Sequence, residues 1–267
     1  MSGGICKFLK RVMSTASSNS NLVENLSSVK DRVASSAAKR TSKDNLTLLP
    51  RLVCVGKTKP ASDIQLVYDA GQRHFGENYV NEIVEKSHDL QETCPDIKWH
   101  FIGRLQSNKV GKLLGCPNLS LIETIDSEKL ADRVDKLWVS SERYSGTPLN
   151  VMVQINTSNE EQKSGVSTEK ALDLVEHVMV KCENLHFTGV MTIGSFSHDY
   201  STGPNPDFLT LLQCKEKVME KFSLSSDDVE VSMGMSNDFE HAIELGSTNV
   251  RVGSTIFGAR EYASKPS

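Results

Sequence analysis

The chain has 267 residues, of which 24% are charged and 38% hydrophobic, and a formal net charge of −4. That length holds one large α/β domain or two small ones. The mild acidity leaves no overall electrostatic footprint for nucleic acid, and no stretch approaches the ~20 apolar residues of a membrane-spanning helix. The six cysteines (Cys6, Cys54, Cys94, Cys116, Cys182 and Cys214) are scattered. No CxxC and no Cys/His cluster at metal-ligand spacing occurs, so free thiols in a reducing, cytoplasmic setting are expected rather than a disulfide framework or a metal site.

The first 45 residues hold ten serines and no proline, and no acid precedes Glu24. With Lys7, Lys10 and Arg11 this composition is that of a mitochondrial targeting segment, although Arg11 is the one arginine before Glu24. The other reading is a disordered tail over residues 1–20, and Met13 offers a second start. From Leu22 the spacing becomes helical: Leu22, Leu26, Val29, Val33 and Ala37 predict an amphipathic helix over 21–40, capped by Ser20 or Asn21. Residues 21–262 are then expected to form one domain that includes this helix.

From residue 48 strands and helices alternate. Strands are predicted over 49–55, 74–76, 97–102, 119–125, 151–155, 187–193, 229–233 and 250–252. Helices are predicted over 62–71, from Tyr79 through Val84, over 107–115, from Asp126 or Ser127 through Leu137, around Ala171–Val178, around Phe208–Val218 and over 237–245. Every strand-to-strand connection thus contains a helix, so the sheet should be parallel. Eight such strands fit a single closed (β/α)8 TIM barrel of about 250 residues. An open doubly wound sheet is disfavoured because no glycine fingerprint follows the first strand.

A barrel of this kind carries its chemistry at the C-terminal ends of the strands. The first strand delivers Lys57 there, inside Gly56-Lys57-Thr58-Lys59-Pro60. Lysine is rarely buried without a partner, so the position reads either as a solvated loop lysine or as a Schiff-base lysine of depressed pKa. The second strand offers Asn78 and the sixth offers Met191. Ser236 follows the seventh strand where a helix should begin, and Gly253 and Ser254 follow the eighth. Loops after the last two strands of a barrel often bind phosphate, using helix N-terminal amides and close backbone approach at glycine. Taken singly, Ser236 is an N-cap and Gly253 a turn. A reactive lysine opposite a phosphate cradle suggests pyridoxal 5'-phosphate (PLP), which also needs a partner for its ring nitrogen. Arg251 could donate to that nitrogen and cannot give up its own proton; otherwise it is a strand-end salt bridge to Glu244 or Glu230.

Six segments, in order, resemble the pyridoxal phosphate homeostasis protein family. They are Val55–Pro60, Phe75-Gly76-Glu77-Asn78-Tyr79, Trp99–Gly103 with Leu105–Lys109, Met191–Gly194, Ser232–Ser236 and Arg251–Gly258. That family is similar to the barrel half of alanine racemase, and the likeness runs from about residue 50 to 260. It implies a fold-type III PLP barrel with Lys57 as the Schiff-base residue, Arg251 at the ring nitrogen, and Ser236, Gly253 and Ser254 at the phosphate. One departure is Gly56, where the family usually has Ser; the loss of a hydroxyl near the cofactor is the expected consequence.

The resemblance implies a protein that holds PLP for intracellular vitamin B6 homeostasis, with apo PLP-dependent enzymes as partners and no catalytic residues of its own. An amino-acid racemase is the competing reading. It needs two opposed acid/base groups, and none of Tyr68, Tyr79, Tyr144, Tyr200 or Tyr262 falls at a strand end facing Lys57. The chain stops about ten residues after the eighth strand, so no second domain is expected to supply one, and a monomer with an open cofactor face follows. Arg104 and Lys109, in the polar turn after the third strand, read as a solvated face or as part of a docking surface or second cofactor site. His100 is expected to pack under the cofactor ring, and His241 to lie on the surface.

Overall fold

The computed structural model describes residues 21–40, 49–195 and 198–259; the predicted tail over 1–20 lies outside them. The first helix, α1, covers 21–37. Then follow β1 (Arg51–Val55), α2 (Ala61–Asp69), β2 (His74–Glu77), α3 (Val80–Asp89), β3 (Lys98–Phe101), α4 (Val110–Leu114), β4 (Leu119–Ile125), α5 (Glu128–Val139) and β5 (Leu149–Asn156). The second half continues with β6 (Val166–Ser167), α6 (Ala171–Lys181), β7 (Leu185–Met191), α7 (Pro206–Phe222), β8 (Glu230–Met235), α8 (Phe239–Leu245), β9 (Asn249–Val252) and α9 (Ser254–Phe257).

The order β4-β3-β2-β1-β9-β8-β7-β5, closed by the pairing of β4 with β5, is a barrel of eight strands. Every pairing in it is parallel. The expected TIM barrel is therefore the observed fold. Two short elements depart from the sequence reading. The polar loop after β5 contains β6, whose two residues are too few to show alternation. The segment after β9, expected to be a loop, winds into α9.

Strand alternation divides the barrel wall into two faces. Val151, Val153 and Ile155 of β5 and Ile122 and Ile125 of β4 join the main apolar core, which also takes in residues of the surrounding helices. Leu121 of β4 and Met152 of β5 instead meet Met191 in a small separate cluster. Beside that cluster the strands carry Glu123, His100, Ser232, Asn249 and Arg251, all buried. Branched aliphatic residues dominate the interior of many barrels; much of this one is polar, and each group must find a partner. Helix α1 buries Leu22, Leu26, Val29 and Val33. It is tied to the far end of the chain by Arg32 to Glu240 at 2.6 Å and by Asn25 Nδ2 to the Ile256 carbonyl at 3.1 Å. Among the described residues no helix is long and apolar enough to cross a membrane.

Candidate functional site

A cavity of about 340 Å3 opens among the C-terminal ends of the strands. Lys57, Asn78, Met191, Ser236, Arg251, Gly253 and Ser254 all line it, so folding brings every sequence-predicted site residue to one place. Lys59, Ile102, Ile193, Asp238 and Phe257 share the lining and were not singled out from sequence. Ile102 and Ile193 follow strands whose ends were in view, but an apolar wall has no motif.

Lys57 leaves β1 in a tight turn. The amide of Gly56 donates to the Gly76 carbonyl at 3.1 Å, and the amide of Lys59 to the Gly56 carbonyl at 2.9 Å. Thr58 has φ 65°, a left-handed conformation costly for a β-branched residue. Its N–H donates to Glu82 Oε2 at 2.8 Å, which holds it there. Behind the turn, buried Lys86 donates to the Gly56 carbonyl at 2.9 Å, to Glu77 Oε1 at 2.7 Å and to Glu82 Oε2 at 3.0 Å. One ammonium thus braces the backbone before Lys57 and the residue before Asn78. Burial pushes Glu77 up to about 7 against the pull of Lys86.

The departure at Gly56 acquires a different meaning. A Cβ there would meet Ile64 Cδ1 at 2.2 Å and Glu77 Oε1 at 3.0 Å. The position faces α2 and the Glu77 brace, and Gly56 is absent from the cavity wall. The hydroxyl expected to be missing beside the cofactor would have pointed elsewhere, and Ile64 takes its space.

Asn78 is fixed by close backbone approach. A Cβ on Gly103 would fall 1.9 Å from the Asn78 carbonyl oxygen, so only glycine permits this packing of the β2 and β3 ends. Asn78 Oδ1 is buried without a hydrogen-bond partner in the cavity wall, a placement that favours a donor arriving from a ligand.

Beside the end of β1, with which β9 pairs, the loops after β8 and β9 are joined. The Gly253 amide donates to Ser236 Oγ at 3.1 Å, and Thr255 Oγ1 donates to the Ser236 carbonyl at 3.3 Å. Ser236 was expected at a helix start; α8 begins later, at Phe239, with Asp238 at its N-cap. The helix that starts at the cavity is α9, from Ser254. The Ile256 and Phe257 amides of α9 both donate to the Gly253 carbonyl at 2.9 Å, and Ser236, Gly253 and Ser254 together form a small polar corner of the cavity.

Arg251 lies across the cavity floor, only 3% exposed. It donates to the Thr192 carbonyl at 2.7 Å and to Ser232 Oγ. Ser232 donates to Glu123 Oε2 at 2.6 Å, and Glu123 itself is 3.9 Å from the guanidinium. The salt-bridge partners weighed from sequence are engaged elsewhere: Glu230 with Arg51 and Glu244 with Lys39. Glu123 also accepts from Asn249 at 3.0 Å and shares a 2.7 Å hydrogen bond with His100 Nδ1, whose Nε2 is 2.9 Å from His74 Nδ1. Burial alone would push Glu123 up. His100, then Arg251 and Ser232, outweigh it and hold the carboxylate at about 2. His100 is therefore a member of this chain beneath the cavity, not part of the wall. His241, expected on the surface, is half-buried and accepts from the Asn205 amide at 3.3 Å.

The described tyrosines do not serve the cavity. Tyr68 bonds Asp96, Tyr79 is exposed at the start of α3, and Tyr144 packs edge-on to Trp138. The residues fit a phosphorylated aldehyde cofactor: an amine, an anion corner, a guanidinium and an unsatisfied amide oxygen surround one volume.

The family model described as "Alanine racemase, N-terminal domain" matches residues 35–261. The pyridoxal phosphate homeostasis protein of Homo sapiens is 53% identical over 245 residues, 90% of this chain and 87% of that protein. Its counterpart in Haemophilus influenzae is 37% identical over 243 residues, 91% of this chain and 98% of that protein. The structure of PipY from Synechococcus elongatus with PLP bound superposes with a TM-score of 0.72 at 27% identity, covering 89% of this chain and 100% of that one. An alanine racemase from Clostridium difficile shares the fold at 14% identity and a TM-score of 0.65, with 58% of its chain covered. The chain belongs to the alanine racemase N-terminal domain family and, within it, to the pyridoxal phosphate homeostasis proteins.

Proposed function

We propose that this protein binds PLP in the cavity at the C-terminal ends of the strands, holds it as a Schiff base on Lys57, and serves vitamin B6 homeostasis by releasing it to apo PLP-dependent enzymes. The observation that carries the reading is the shared volume: Lys57 after β1, the joined Ser236–Gly253–Ser254 corner and Arg251 on β9 all line one cavity. The relatives named for PLP homeostasis and the PLP-bound PipY support the same ligand.

In this reading the Ser236 and Ser254 hydroxyls take the phosphate, and Gly253, whose amide holds Ser236 Oγ, lets the backbone come close to it. Arg251 donates to the ring nitrogen. Asn78 accepts from the cofactor through its unsatisfied Oδ1, and Met191 contributes apolar wall. The bound cofactor supplies a reactive aldehyde and an electron-withdrawing ring. Arg251 keeps its proton, so the ring nitrogen stays unprotonated and the ring is a weak electron sink. Glu123 balances the guanidinium charge without reaching the cavity. The lining of Lys57, Lys59 and Asp238 includes no tyrosine, so the pair of opposed groups a racemase uses is not evident in the described residues. The five described cysteines are buried free thiols, in keeping with a reducing compartment.

Mixing the PLP-loaded protein with an apo PLP-dependent enzyme, and assaying amino-acid racemisation on the same sample, tests the proposal. Recovery of acceptor activity with no racemisation is expected. Steady racemisation that Lys57→Ala abolishes would favour the enzyme reading, and failure to activate the acceptor would remove the hand-over role.

A further inference from the structure

Helices α5 and α6 pack side by side on the outside of the barrel, away from the cavity. Between them Asp132, His177 and Cys182 bring one carboxylate oxygen, one imidazole nitrogen and one sulfur within 4.8 Å of one another. His177 Nε2 is 2.6 Å from Asp132 Oδ1, and Cys182 Sγ is 4.0 Å from the same oxygen. His177 Nδ1 lies 3.8 Å from Glu128 Oε2, one turn before Asp132. Sequence spacing could not reveal the group: Asp132 is on α5, His177 on α6 and Cys182 just after it, 45 or more residues from Asp132.

We propose that Asp132, His177 and Cys182 form a zinc-binding site that clips α5 to α6. The ligand types are those of borderline-soft zinc, one each of carboxylate, imidazole and thiolate. Bond lengths of about 2.0–2.3 Å place tetrahedral ligand atoms roughly 3.3–3.6 Å apart. The Asp132–His177 pair must open a little and Cys182 must close a little, both within side-chain rotation. The proton now between Nε2 and Oδ1 stands where the metal would sit. Glu128 is placed to hold His177 through Nδ1, the carboxylate–imidazole–metal arrangement that orients such ligands. Asp135, which accepts the Asn184 amide at 2.8 Å, adds a further negative charge nearby.

On binding, the Cys182 thiol proton is released to solvent and the sulfur lone pair goes to zinc; no oxidation or reduction is involved. Three protein ligands leave a fourth position for water.

The test uses the full-length, PLP-loaded protein, dialysed against chelator-buffered zinc, desalted and analysed for metal. Parallel samples carry His177→Ala, Cys182→Ala and Glu128→Gln. About one zinc per chain is expected for the unaltered protein. Loss is expected in the first two variants, and roughly tenfold weaker retention in Glu128→Gln. Zinc should raise the melting midpoint of the unaltered protein and leave that of Cys182→Ala unchanged. Should a variant fail to fold, cobalt added to the unaltered protein decides: a thiolate-to-cobalt charge-transfer band in the near ultraviolet supports the site, and its absence overturns it. Equal zinc content in unaltered protein and variants, or none in any, would also overturn it.

Discussion

Lys57 is presented by a main chain that other residues fix from behind. Lys86 spans the Gly56 carbonyl and the Glu77 carboxylate, the residues just before Lys57 and Asn78. Lys86→Met removes the charge that a buried carboxylate depends on, and breaking such a pair costs about 3–5 kcal/mol. That loss should appear as a lower urea midpoint with an unchanged slope, together with weaker PLP retention. A variant with the stability of the parent would show the brace to be idle. Gly103→Ala acts by contact instead. Its new methyl would need to displace the Asn78 backbone, which lies under 2 Å away. PLP affinity should drop roughly ten- to hundredfold, as misplacement of a positioned group commonly does. Equilibrium titration of the cofactor reads it directly.

At the scale of elements, α1 is part of the fold. Leu26 is 2% exposed and Val29 fully buried in the core shared with the barrel. Leu26→Ala should cost about 2–5 kcal/mol, measured by denaturant unfolding. A cost near zero would mean that α1 is a dispensable appendage. Helix α1 also reaches α9 through Asn25 and the Ile256 carbonyl, so loosening it should reach the loop after β9. The amphipathic spacing of α1 and the alternation of strands with helices were legible in sequence because each apolar face is long and periodic. Elements of two to four residues, β6 and α9, were not, since they have too few residues to establish a period. The start of α8 was misplaced for a related reason: Ser236 is a good cap by type, yet it is engaged by the Gly253 amide, and Asp238 takes the cap position.

For the whole molecule, the polar barrel interior sets the response to acid. Glu123 is depressed from an ordinary 4.5 to about 2. Its contribution to stability is therefore present above 4.5 and lost as pH falls from there toward 2. Glu77 works in the other sense. Raised to about 7, it contributes fully below 4.5, and that contribution is lost as pH rises through 7. Denaturant midpoints across pH should show both arms. Glu77→Gln should flatten the fall in stability from 4.5 to 7 and leave the acid arm, and a profile unchanged by it would contradict this assignment.

The seven cavity residues were legible because barrel topology gathers strand ends whatever the distance in sequence. The hydrogen bonds that link Arg251 through Ser232 and Glu123 to His100 and His74 were not. They run between strands, and sequence alone does not say which residues of each strand look inward. The meaning of Gly56 was hidden likewise, because the direction of its missing side chain is a property of the folded turn.

The most direct test of the central claim is the visible spectrum of the purified protein with PLP, before and after borohydride, beside Lys57→Ala. The expected result is a yellow protein whose band borohydride abolishes, with the reduced cofactor recovered on the peptide containing Lys57, and no such band in the variant. A protein that stays colourless with added PLP, or a Lys57→Ala variant with the same band, would contradict it.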